Sequence, residues 1–201
     1  MLSQEDKTEL ALTLHEIGVV KFGEFTFKSG IISPMYCDHR ILVSYPKKLK
    51  YVAKQYTKLL EGLEYDRLAG IPYAAMPIAG AVSLLLEQPW IYPRKEAKDY
   101  GTKKVIEGEF KPGDKVVVLD DLITKGDSKI ETLEPFLAAD LKVADFVVLL
   151  DYEKGGREML KRKGYNLHAA MSVKDLVEAL HQQKAIDEEM YAKVAKFLSD
   201  N

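Results

Sequence analysis

The sequence predicts an α/β fold, with a central, mostly parallel sheet flanked by helices. Two observations carry that expectation. From residue 67 onward, short apolar runs alternate with helix-period segments. Two of the runs, Val116 to Leu119 and residues 145–150, are apolar almost throughout, as strands buried on both faces of a parallel sheet must be.

Each element has its own signal. Leu10, Leu14 and Ile17 recur at helical spacing behind early acids, and Gly18 stands where a helix stops, which predicts a helix over 4–17. Phe22, Phe25 and Phe27 look extended and Lys28-Ser29-Gly30 reads as a turn, so residues 19–37 are expected to form a small N-terminal hood. Ser44 and Pro46 open a helix to about residue 60, with Val52, Tyr56, Leu59 and Leu60 facing inward. A strand over 67–71, a loop over 72–76, a helix over 77–86 and a strand over 90–92 follow.

Residues 93–104 are poor in apolar side chains and carry Arg94, Lys95, Lys98, Lys103 and Lys104, which predicts a solvated loop. Beyond it, a strand over 105–110, a Pro112-Gly113-Asp114 turn and a strand over 115–119 are expected. The remaining chain reads as helix 129–137, strand 145–150, helix 157–163, strand 168–171 and closing helices over 173–182 and 187–198.

Composition narrows the classes. The chain has 201 residues, 29 basic and 31 acidic side chains and a formal net charge of −2, so no global field favours nucleic acid. A single domain over 1–201 is expected. Cys37 is the only cysteine, which suits a reducing, cytoplasmic setting, and the acidic first residues do not look like a leader. The charge-free stretch over 68–86 is interrupted by Gly70, Pro72, Pro77 and Gly80, so a membrane span is not expected. His15, His39, His168 and His181 lack metal-site spacing and are expected in structural or surface roles.

The strongest chemical signal is the run Val116-Val117-Val118-Leu119-Asp120-Asp121-Leu122-Ile123-Thr124-Lys125-Gly126-Asp127-Ser128-Lys129. Two adjacent carboxylates at the C-terminal end of a buried strand occupy the place where open α/β sheets hold ligands, and they are costly there without a cationic or hydroxyl partner. The turn from Thr124 to Ser128 enters a helix, so its N–H groups suit a phosphate, with Gly126 permitting close approach. Walker A spacing is absent, and no G-x-G-x-x-G follows a strand, so a plain dinucleotide-binding module has no direct support.

That run resembles the phosphoribosyl pyrophosphate (PRPP) motif of the type I phosphoribosyltransferases. Phe25-Thr26-Phe27-Lys28-Ser29-Gly30 with Ser33-Pro34-Met35-Tyr36, Arg94-Lys95-Glu96-Ala97-Lys98-Asp99-Tyr100-Gly101, and Leu149-Leu150-Asp151 are similar, in the same order, to the orotate phosphoribosyltransferases. The resemblance implies the type I phosphoribosyltransferase fold and transfer of phosphoribose from PRPP to orotate, giving orotidine 5′-monophosphate and pyrophosphate. It implies that Asp120 and Asp121 hold the ribose hydroxyls and that the segment through Leu122, Ile123, Thr124, Lys125, Gly126, Asp127 and Ser128 holds the 5′-phosphate.

The same resemblance makes residues 94–104 a mobile catalytic loop in which Arg94, Lys95 and above all Lys98 engage the pyrophosphate, reaching into the neighbouring subunit of a homodimer. Lys28, Tyr36, Tyr100 and Tyr152 are implied near the base or pyrophosphate, and Mg²⁺ is implied as a cofactor held mainly by PRPP rather than by side chains. Four positions depart from the family pattern. Tyr152 stands where an Arg usually follows the Asp, Asp127 and Lys125 replace small residues, and Tyr100 replaces a frequent His. They define the alternative expectation, a relative with altered base preference or a noncatalytic sensor of PRPP or a nucleotide.

Overall fold

A computed structural model describes residues 2–26, 30–94 and 105–200. The N-terminal helix α1 (Gln4–Glu16) is capped by Ser3, whose side chain accepts from the Asp6 N–H at 3.1 Å, and the acids Glu5 and Asp6 sit on its positive end. Strands β1 (Val20–Thr26) and β2 (Ile32–Cys37) pair antiparallel as a separate hairpin, and a 3-10 turn over His39–Ser44 leads from it into α2 (Pro46–Leu60).

The main sheet is built from β3 (Arg67–Gly70), β4 (Trp90–Pro93), β5 (Ile106–Glu107), β6 (Lys115–Ile123), β7 (Lys142–Asp151) and β8 (Asn166–Ser172). Its order is β5-β4-β3-β6-β7-β8, parallel except where β5 pairs antiparallel with β4. Helices α3 (Ala75–Leu86), α4 (Asp127–Ala138), α5 (Gly156–Arg162) and α6 (Val173–Gln182) connect or follow these strands, and α7 (Glu188–Asp200) comes last.

The pleat divides the core between the two faces. Val117 and Leu119 of β6 pack with Val147 and Leu149 of β7 among α1, α2, α3, α6 and α7. Val116 and Val118 pack with Phe146 and Val148 among Leu133 and Phe136 of α4 and Leu160 of α5. Successive side chains of a strand point to opposite faces, so one strand serves both clusters.

Several boundaries differ from the sequence expectation. β6 continues through Asp120 and Asp121 to Ile123, because Leu122 and Ile123 still pair with Leu150 and Asp151 of β7. α4 starts at Asp127, so Asp127 and Ser128 form its first turn. β5 shrinks to two residues, since only Ile106 and Glu107 pair, with Pro93 and Tyr92.

Two glycines bring the turn after β6 against α5. Gly126, at φ +90°, begins the entry to α4, and a Cβ there would meet the Met159 methyl carbon at 2.5 Å. Gly156 lies so close that its Cβ would overlap the Thr124 carbonyl oxygen and meet the Ile123 side chain at 2.7 Å. Gly156→Ala is expected to destabilise the protein by about 1–3 kcal/mol in thermal or denaturant unfolding; an unchanged midpoint would contradict this tight contact.

Candidate functional site

The two carboxylates at the end of β6 leave the strand in opposite directions. Asp120 is buried and bonded by the Lys129 ammonium, which is also buried and lies in the first turn of α4. Asp121 is half-buried on the other side, its Oδ2 3.2 Å from His39 Nδ1. The backbone beneath them is held by the Tyr56 hydroxyl, which donates to the Asp120 carbonyl at 2.6 Å, and by the Asp121 N–H, which donates to Asp120 Oδ1 at 2.8 Å.

These surroundings drive the two groups apart. Burial raises the Asp120 carboxyl to about 7; Lys129 pulls it down and the neighbouring Asp121 charge pushes it up. For Asp121 burial also pushes upward, but the His39 ring and the Lys129 charge outweigh it and hold the carboxyl well below the usual range. Asp121 is therefore ionised at neutral pH, while the charge that Asp120 carries is balanced by Lys129.

The strand then delivers the chain to an anion-suited turn. Thr124 and Lys125 are exposed, Gly126 is left-handed, and α4 begins immediately with Asp127 and Ser128 exposed. The first N–H groups of any helix lack intrahelical acceptors and carry the positive end of its dipole. The Lys129–Asp120 bond ties that helix start to the strand.

Tyr152 continues from β7, its N–H donating to the Ile123 carbonyl at 2.9 Å. Its side chain lies against Cys37 at the end of β2, and burial pushes its phenol well above the ordinary range, with Cys37 and Asp121 adding to the effect. Burial likewise raises the Cys37 thiol to about 11. Tyr36 stacks on Phe25 with ring centroids 5.6 Å apart, and its hydroxyl accepts from Arg40 at 3.2 Å.

Sequence reasoning had pointed to Asp120, Asp121, the 124–128 turn, Tyr36 and Tyr152. Asp120, Asp121 and the turn meet at the C-terminal end of β6, and Tyr152 adjoins them from the next strand. Arg94 sits just beyond β4, with its guanidinium donating to Glu107 at 2.7 Å. Lys28, Lys95, Lys98 and Tyr100 lie outside the described residues. Arg157, five residues beyond Tyr152, is engaged by Asp151 at 3.2 Å and by the Leu167 carbonyl at 2.8 Å.

Two neighbours were missed. Lys129 stood in the run as a helix residue, although nine residues after Asp120 the strand-turn-helix path returns it to the carboxylate. His39 was expected in a structural or surface role, and it is buried beside Asp121. Its sequence offered no metal-type spacing to mark it.

Comparison with known proteins decides the family. No family model matches the chain. It is 38% identical over 175 residues to orotate phosphoribosyltransferase of Pyrococcus abyssi, covering 86% of this chain and 96% of that protein. The chain belongs to the orotate phosphoribosyltransferase family. It is also 40% identical over 194 residues to uridine 5′-monophosphate synthase of Bos taurus, covering 96% of this chain but 40% of that longer protein. Its fold superposes on the solved structure of Leishmania donovani UMP synthase with a TM-score of 0.89 and 42% identity, over 97% of this chain and 42% of that one. The chain thus spans about two fifths of the longer relatives and nearly all of an orotate phosphoribosyltransferase. The type I phosphoribosyltransferase fold expected from the sequence is the one observed.

Membership leaves the buried ion pair to be explained by its own energetics. Removing Lys129 lets Asp120 rise further, and a carboxyl whose folded value lies above its unfolded value loses stability as pH climbs towards that folded value. Lys129→Met is therefore expected to destabilise more at about pH 8.5 than at about pH 6, by about 2 kcal/mol. Thermal unfolding across that range checks it, and a pH-independent difference would contradict the pairing.

Proposed function

We propose that this chain transfers phosphoribose from PRPP to orotate, giving orotidine 5′-monophosphate and pyrophosphate in pyrimidine nucleotide synthesis. The observation that carries the reading is the strand-end acid pair leading straight into the glycine-started helix, in a chain of the orotate phosphoribosyltransferase family. Asp120 and Asp121 take the ribose hydroxyls, Asp121 as an ionised acceptor. Leu122 and Ile123 carry the strand to the turn, and the N–H groups and hydroxyls of Thr124, Lys125, Gly126, Asp127 and Ser128 receive the 5′-phosphate.

The reaction breaks the bond between the ribose anomeric carbon and the pyrophosphate oxygen and forms one to a pyrimidine ring nitrogen. Positive charge grows on the ribose while negative charge grows on the leaving group. A cationic loop carrying Arg94, Lys95 and Lys98, with Lys28 from the hood, stabilises the departing anion, so positioning and electrostatics act without a protein nucleophile. Closure of that loop over the ribose excludes water from a centre prone to hydrolysis.

Mg²⁺, when bound, neutralises charge on the pyrophosphate oxygens. Among the described residues no group of three or more His, Cys, Asp or Glu side chains could hold a metal. A hydrated Mg²⁺ carried by phosphate oxygens needs no such cage.

Tyr36, Tyr100 and Tyr152 flank the base in this reading. The enzyme works as a homodimer with the 94–104 loop serving the neighbouring site, as one catalytic domain in a reducing, cytoplasmic setting. Among the described residues no helix is long and apolar enough to cross a membrane. One observation favours a second reading. Tyr152, neutral and packed on Cys37, occupies the position where the family uses a cation, which suits a base other than orotate.

Following orotate absorbance with PRPP and Mg²⁺ tests both. Consumption of orotate is expected; PRPP binding without consumption favours a sensor, and consumption of another pyrimidine favours altered specificity. Lys98→Ala is expected to lower turnover by about a hundredfold or more while sparing PRPP affinity. Wild-type turnover in that variant would remove Lys98 from the reaction.

A further inference from the structure

The proposed chemistry leaves one buried imidazole without a task. His39 is 1% exposed, opens the 3-10 turn directly after β2, and has no hydrogen-bond partner at either ring nitrogen among the described residues. Its Nδ1 nevertheless stands 3.2 Å from Asp121 Oδ2, within ion-pair range but off the line of a hydrogen bond. Burying two unsatisfied ring nitrogens is unfavourable, and an apolar residue would fill the same space without that cost.

The surrounding charges are engaged elsewhere. Lys129 is bound to Asp120, and the Arg40 guanidinium is held by the Asp38 carboxylate at 2.6 and 2.9 Å. Cys37, Tyr56 and Tyr152 also lie within electrostatic reach of Asp121, and the thiol and both phenols are neutral at physiological pH. A half-buried aspartate with an anionic neighbour in sequence has two free side-chain torsions. A donor on one oxygen restricts those torsions and holds the other oxygen towards a ligand.

We propose that His39 is a positioning residue for Asp121: an Nδ1–H directed at one carboxylate oxygen fixes the side chain so that the other oxygen faces the ribose diol of a phosphoribosyl donor. This rests on the reading of Asp121 as the diol acceptor. The imidazole touches no reacting atom; it acts through the carboxylate. Approach of the diol tightens a contact that is misaligned in the free protein. The 3-10 turn that carries His39 is thereby coupled to occupancy at the end of β6.

Three substitutions test it. Asn puts an amide N–H₂ near the place of Nδ1; Gln, equally polar, puts its amide near the place of Nε2; Leu keeps bulk and removes both. PRPP binding is measured by calorimetry with Mg²⁺, together with KM, kcat and melting temperature. His39→Leu and His39→Gln are expected to weaken PRPP binding and raise its KM about tenfold, with kcat within about threefold, because a diol contact is made before and during the reaction. His39→Asn is expected to restore most of the affinity.

Equal PRPP affinity in the Asn and Gln variants overturns the proposal, and that comparison remains available if the Leu variant does not fold. A Leu variant that folds and binds PRPP like the wild type overturns it as well. Failure of the wild type to bind PRPP would instead overturn the reading of Asp121 on which it rests.

Discussion

Two adjacent carboxylates at the end of a buried strand constrain everything around them. Both cannot point into one apolar face, and the pleat of β6 separates them. Asp120 turns towards α4 and is neutralised by Lys129; Asp121 turns towards the hairpin side and His39. The first of these contacts also fixes where α4 begins, because Lys129 sits in its first turn. A charge pair that solves a burial problem thus holds a helix N-terminus next to a strand end. Gly126 and Gly156 let α5 back that arrangement at a separation no Cβ would permit.

The departures from the family pattern have physical settings of their own. Asp127 and Lys125 are exposed, and an acid in a first turn is favoured by the helix dipole. Asp127 thus draws on the field that would hold a phosphate, with Lys125 nearby to offset its charge. Tyr152, where the resemblance leads one to expect a cation, is packed against Cys37 instead. Arg157, five positions on, is engaged by Asp151 and the Leu167 carbonyl.

Much of this was legible in residue order. The apolar runs around Val117 and Val148 announced parallel strands, and the Asp120 to Ser128 segment announced both the acid pair and the turn behind it. What the sequence concealed is what depends on distance in space. The extension of β6 to Ile123 follows from pairing with β7, which local propensity does not contain. Lys129 reads as one more helical lysine until the turn folds it back. His39 reads as a lone histidine, because its meaning lies in Asp121, far away in the chain and 3.2 Å away in the fold.

The central claim, that the end of β6 and the start of α4 form a phosphoribosyl cradle, is tested most directly by the amide resonances of the protein during titration with ribose 5-phosphate. The account predicts that the N–H signals of residues 124–128 and of Asp121 move furthest, and that they do so saturably. Shifts confined to other regions, with these N–H groups unmoved at saturation, would contradict it.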